Sequence, residues 1–150
     1  MRWLESILLG ATSLGPVTIA GAACKPMDLY AAEVVVDYLD SWRNIHLAYQ
    51  QFRRCDEAAV SEGFSRGVTE LLAASWKDLP QLVALANSDP DFETFVWTHL
   101  DDTTDDGDRR AIAESATRAC PKGASATCAR IAARLHSLGP WRDQHSQPET

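Results

Sequence analysis

The chain has 150 residues, enough for one domain with a real core, and 45% of them are hydrophobic and 23% charged. Its formal net charge is −7. That balance excludes nucleic acid and anionic membrane as default partners, because binding there is driven by Lys and Arg neutralising phosphates. An acidic surface suits a basic protein partner, or simply solubility.

The first 23 residues read as a targeting segment. Met1-Arg2-Trp3 precedes an uncharged stretch from Ser6 to Ala23, interrupted by Gly10, Gly15 and Pro16 and ending in Ala20-Gly21-Ala22-Ala23. A short n-region, an apolar h-region and a small-residue cleavage site form the layout of a secretory signal peptide. Residues 1–23 are therefore expected to be removed, leaving a helical domain over 24–138, a flexible C-terminal tail over 139–150 and no membrane span in the mature chain. Cys24 directly after Gly-Ala-Ala also admits a lipoprotein reading, although Gly21 stands where a lipobox usually has Leu.

Four cysteines remain after that point: Cys24, Cys55, Cys120 and Cys128. An even count in an exported chain reads as a disulfide framework, and four cysteines allow three pairings. No CxxC occurs, so a redox dithiol or zinc ribbon lacks its spacing. The favoured pairing is Cys120–Cys128, closing the Pro121-Lys122-Gly123 turn, with Cys24–Cys55 tying the mature N-terminus to the end of the first helix.

In chain order the apolar residues recur at helical spacing, and alternating strand patterns are nearly absent. A first helix is expected from about Asp28 to Arg54, with Val35, Tyr38, Leu39, Trp42, Ile45, His46 and Tyr49 on one face and Ser41 able to cap a break. Asp56 is read as the cap of a second helix to about Trp76, striped by Val60, Phe64, Gly67, Val68, Leu71 and Ser75. Gly67 lies inside that stripe and Gly63 beside it, which points to a close helix crossing. Asp78-Leu79-Pro80 opens a third helix to Ala86, and Asp89-Pro90 a fourth carrying Phe92, Phe95, Val96, His99 and Leu100. An acidic loop follows from Asp101 to Asp108, then a fifth helix to about Ala119 and a sixth from Ser125 to Leu138. The fold class is all-α: a single compact domain of about five to six helices with two disulfides.

No motif names a reaction, and no cofactor is implied. Asp102, Thr104, Asp106 and Asp108, with Gly107 at the sixth place, resemble the first half of an EF-hand calcium loop. The second half fails, because the twelfth place is Ala113 and Glu114 comes one late. The four histidines, His46, His99, His136 and His145, form no HExxH pair. Glu62 stands four residues before Arg66, the favourable order for an ion pair along a helix, and Ser61 and Ser65 have no nucleophile-elbow glycines. Five tryptophans are many for this length; Trp97 lies off the centre of its helix's apolar face, where an aromatic can anchor an interface.

The segment Cys55-Asp56-Glu57-Ala58-Ala59-Val60-Ser61-Glu62-Gly63-Phe64-Ser65, with Ser41-Trp42-Arg43-Asn44 upstream and Cys120-Pro121 downstream, resembles a family of small exported bacterial proteins without assigned activity. Within it, Glu62-Gly63-Phe64-Ser65-Arg66-Gly67 is similar to the Gly-aromatic-x-x-Gly helix of small periplasmic immunity proteins, which protect bacteria using type VI secretion from peptidoglycan amidases. That resemblance implies a helical, disulfide-bonded protein that acts by binding. The expectation is an exported, periplasmic protein-binding module, inhibitor or immunity protein, with Asp56, Glu62 and Trp97 as candidate partner-binding residues. The alternatives are a small envelope hydrolase using a carboxylate such as Glu62 or Asp56, and a structural envelope protein.

Overall fold

The computed structural model describes residues 23–140, so the expected signal segment up to Ala22 and the tail beyond Pro140 lie outside the described residues. Most helix starts fall where the sequence offers proline or a capping side chain, those at Ala58 and Ser125 being the exceptions. α1 (Pro26–Val35) and α4 (Leu79–Ser88) carry Pro in the first turn, where its missing N–H costs nothing. At α5 (Pro90–Thr98) the Asp89 carboxylate accepts from the Phe92 N–H, and at α6 (Asp106–Arg118) Asp105 accepts from the Gly107 N–H. α7 spans Ser125–Ser137.

The long first helix is two helices. A single 3₁₀ turn, Val36–Tyr38, follows α1; the chain then turns through Leu39 to Ser41, whose hydroxyl caps α2 (Trp42–Phe52) by accepting from the Asn44 N–H. That break brings the helix count to seven among the described residues. It also turns Tyr38 outward: the ring expected on the apolar face is 72% exposed, because the 3₁₀ turn departs from the helical register that would have carried it inward.

α3 (Ala58–Ala74) is the axis of the molecule, packed by α1, α2 and α6. Its start differs from the expectation. Asp56 does not cap it: the carboxylate turns inward to His99, Glu57 takes the cap position without a side-chain bond, and Ala58 enters the helix at φ 46°. A charge-assisted bond to a buried imidazole outweighs an exposed cap. The left-handed φ at Ala58 costs about 1–2 kcal/mol.

Gly63 and Gly67 let α3 reach the α1–α2 turn. A Cβ at Gly63 would stand 2.5 Å from Val36 Cβ, and one at Gly67 2.8 Å from Leu39 Cβ. Val36 and Leu39 thus lie almost directly on the α3 backbone, with Trp42, Ile45, Val60, Phe64 and Val68 closing the core behind them. Arg66 turns away from Glu62. Its guanidinium donates to Asp37 at 2.8 Å and reaches the Val36 carbonyl, latching the same turn from outside.

The remaining helices are held by cross-ties of distinct kinds. Cys24–Cys55 joins the start of α1 to the turn after α2, and Cys120–Cys128 closes the α6–α7 connection, each worth on the order of 2–4 kcal/mol in the chain-entropy model. These bonds belong to an oxidising, non-cytoplasmic compartment. Buried Arg109 donates to Asp106 and to the Gly139 carbonyl, while Arg134 donates to the Leu100 carbonyl. Asp106 is therefore a helical residue in the first turn of α6 rather than a loop residue. Trp76 donates its indole N–H to the Ala119 carbonyl, and Arg130 pairs with Glu93 at 2.5 Å.

Two outcomes follow. Gly→Ala in an open helix stabilises by roughly 1 kcal/mol, but here the new methyl meets the roots of Val36 and Leu39, where overpacking costs about 1–3 kcal/mol. Gly63→Ala and Gly67→Leu are expected to lower the urea midpoint, and Arg66→Leu much less. The second concerns Asp89, which accepts from His46 at 3.0 Å; that bond, against the burial that raises it, holds the carboxyl below its ordinary value. A depressed acid contributes stability above its unfolded pKa, near 4, and loses it as pH falls through the folded value. Asp89→Asn is therefore expected to weaken the protein at pH 7, the gap narrowing as unfolding is measured toward pH 3.

Candidate functional site

The site is organised by one buried imidazole. His99 ends α5, packed by Phe95 at 4.3 Å and Phe64 at 5.6 Å between ring centroids, and is 3% exposed. Its Nε2 lies 3.1 Å from Asp56 Oδ2 and its Nδ1 3.0 Å from Ser65 Oγ. A carboxylate accepts only, so the Nε2–H donates to Asp56, and Nδ1 is left to accept from the Ser65 hydroxyl. The result is a hydrogen-bonded line, Ser65–His99–Asp56, crossing from α5 to the middle and the foot of α3.

Ser65 opens outward into a pocket of about 240 Å³ between α3 and the start of α6. Glu62, Arg66, Thr69 and Glu70 form its α3 wall; Thr103, Thr104, Asp105 and Asp108 form the other. Thr69 and Thr104, both buried, meet hydroxyl to hydroxyl at 3.5 Å and fix the pocket's base. Four carboxylates and one guanidinium line the cavity, and that guanidinium already faces Asp37. The pocket is negative, with hydroxyls that can accept or donate. Chemically it suits an ammonium or guanidinium group, which would find carboxylates on two walls.

The structure brings two of the candidate partner-binding residues near each other and leaves one apart. Glu62 is exposed on the pocket rim. Asp56 stands behind it as the far end of the histidine line, with Oδ1 buried and without a hydrogen-bond partner among the described residues. Trp97 is half-buried against the core and does not line this pocket. The four candidate calcium ligands do not share a cradle. Thr104 is turned onto Thr69 and Asp106 onto Arg109, and among the described residues no three His, Cys, Asp or Glu side chains stand close enough together to hold a metal ion. His99 had no sequence signal beyond its place on an apolar face, and Ser65 none beyond being a serine without nucleophile-elbow glycines; they meet across 34 residues.

No family model, curated protein or solved structure matches this chain.

The histidine line should also be a stabilising element. His99→Leu leaves a buried carboxylate oxygen and a hydroxyl unpaired, which costs about 1–3 kcal/mol for each group. Ser65→Ala leaves a single uncharged acceptor, His99 Nδ1, without its donor, one group rather than two, at about 1–3 kcal/mol at most. Urea titration is expected to rank His99→Leu well below Ser65→Ala, and equal midpoints for the two would contradict the described hydrogen bonding.

Proposed function

We propose that the protein is an exported, periplasmic binding module that recognises a basic partner protein, in its sharpest form an inhibitor or immunity protein against a cell-wall-targeting enzyme. The observation that carries this reading is the acidic pocket between α3 and α6, sized for a long cationic side chain and rimmed by Glu62, Glu70, Asp105 and Asp108. A carboxylate-lined pocket on a chain of net charge −7 raises the encounter rate of a positive partner and holds a Lys or Arg at the contact. The two disulfides agree with such a role outside the cytoplasm. Among the described residues no helix is long and apolar enough to cross a membrane.

A second reading rests on a specific arrangement. Ser65, His99 and Asp56 have the connectivity of a nucleophile, base and orienting acid. Two features rank it lower. Ser65 sits mid-helix, where the surrounding N–H groups are spent on the helix and cannot form an oxyanion hole. The negative walls also oppose the charge that develops on an acyl oxygen. Labelling of Ser65 by a fluorophosphonate, lost in His99→Leu, would reverse this ranking.

The binding reading is tested by quantitative pull-down from periplasmic extract with the full chain and with the triple variant Glu62→Lys, Glu70→Lys, Asp108→Lys. A basic protein retained by the first, lost from the second and released by moderate salt is the expected result. Identical retained sets for the two chains would refute the acidic pocket as the contact.

A further inference from the structure

α1 and the 3₁₀ turn that follows it have two apolar faces. Ala32 and Val36 face the core, while Met27, Tyr30, Val34 and Tyr38 are 79%, 68%, 48% and 72% exposed. Their spacing of i, i+3, i+7 and i+11 makes a single outer stripe three turns long. Its last two members, Val34 and Tyr38, face Leu47 of α2, 52% exposed, across a groove of about 290 Å³ whose floor is Val35, Ala48 and Phe52. A stripe of this kind marks a contact surface rather than scattered exposure.

The groove does not end at α1. Tyr38 and Leu39 also line a second, smaller depression, and Arg66 and Glu70 line both that depression and the acidic pocket. At the junction sits the Asp37–Arg66 pair, with both side chains more than half exposed, so re-pairing with an incoming charge costs little. Four carboxylates (Asp28, Glu33, Asp37 and Asp40) and one cation (Lys25) lie between Lys25 and Asp40, so the flank of the apolar stripe is negative as well.

We propose that these three depressions are one docking trough, and that its occupant is a helical segment of the partner protein with an apolar ridge at one end and Lys or Arg at the other. The apolar ridge fills the α1–α2 groove, as an amphipathic helix does in a hydrophobic groove, and the cationic end reaches Glu62 and Glu70. This deepens the acidic-pocket reading and rests on it. Cys24–Cys55 holds α1 against the end of α2 before anything binds, so the groove is preorganised.

The test is a fluorescence-anisotropy titration of the full chain with three synthetic peptides: a helical leucine block followed by a lysine block, and each block alone. Leu47→Asp and Glu70→Lys, both at exposed positions, serve as variants, with unchanged melting temperatures showing that they remain folded. Joining two contacts makes the second intramolecular. The two-block peptide is expected to bind at least roughly tenfold more tightly than either block, and each variant to reduce it to the level of one block. Amide shifts are expected at both Val34 and Thr69. If the lysine block binds, loses its binding in Glu70→Lys and gains nothing from the leucine block, the trough is overturned while the acidic pocket stands. If only the leucine block binds, the trough and the acidic pocket both fall. A dimer that Leu47→Asp dissociates, or displacement of the two-block peptide by a peptide of residues 1–22, would give the groove to a second copy or to this chain's own N-terminal segment, and would overturn the proposal as well.

Discussion

The approach of α3 to the α1–α2 turn governs the rest of the molecule. Two glycines one helical turn apart remove the side chains that would hold that turn away, and Val36 and Leu39 settle onto the bare backbone. Dispersion between atoms is small per pair and large in sum, so a contact this close over a whole turn is a strong local seat. It sets where α1 ends and where Ser41 must begin α2. It also brings Asp37 within reach of Arg66, and places Tyr38 between the apolar groove and the acidic pocket. A methyl group at either glycine would therefore be felt in the core and at the surface together.

Around this seat the protein uses histidine twice in the same way. His46 reaches from α2 to Asp89 at the head of α5, and His99 from the foot of α5 to Asp56 before α3. Both rings also stack within an aromatic layer of Tyr49, Phe64, Phe92 and Phe95. A buried ring with two nitrogens can satisfy polar groups from two elements while its faces pack like an apolar side chain. The two disulfides act at the ends of the fold and the histidines act within it, so α5, a helix of nine residues, is fixed at both termini by carboxylate–imidazole bonds.

What the sequence made legible was local. Asp89-Pro90, Ser41 and the eight-residue Cys120–Cys128 spacing each carry their meaning within one turn of chain, and the structure places α5, the α1–α2 break and the second disulfide there. The glycines were also legible, because a small residue inside an apolar stripe has few other uses. Asp56 was misread for the same reason: its position next to a helix start advertises a cap, whereas its partner lies 43 residues away. Arg66 offers a similar case. Glu62 at helical spacing was the local choice, but Asp37, from a different element, has the better geometry. The site itself is assembled from α3, the end of α5 and the start of α6, and no spacing within a single segment encodes such a meeting.

The outer stripe of α1 poses a question of energetics rather than geometry. Fully burying side chains like Met27, Tyr30 and Val34 would stabilise by about 1.5–3 kcal/mol each, and leaving them in water forgoes that gain. Nothing in the core requires them, since Ala32 of α1 and Val36 of the following turn already provide the inner contacts of this segment. Polar residues at these positions would keep the helix and improve solubility. A helix apolar on both sides is ordinarily buried on both sides. The negative surroundings of the stripe restrain indiscriminate self-association by like-charge repulsion while leaving the groove open to a positively flanked segment. In the proposed complex apolar contact would supply affinity and charge selection, and the turn at Val36–Leu39, seated on Gly63 and Gly67, joins the apolar and acidic depressions into a single surface.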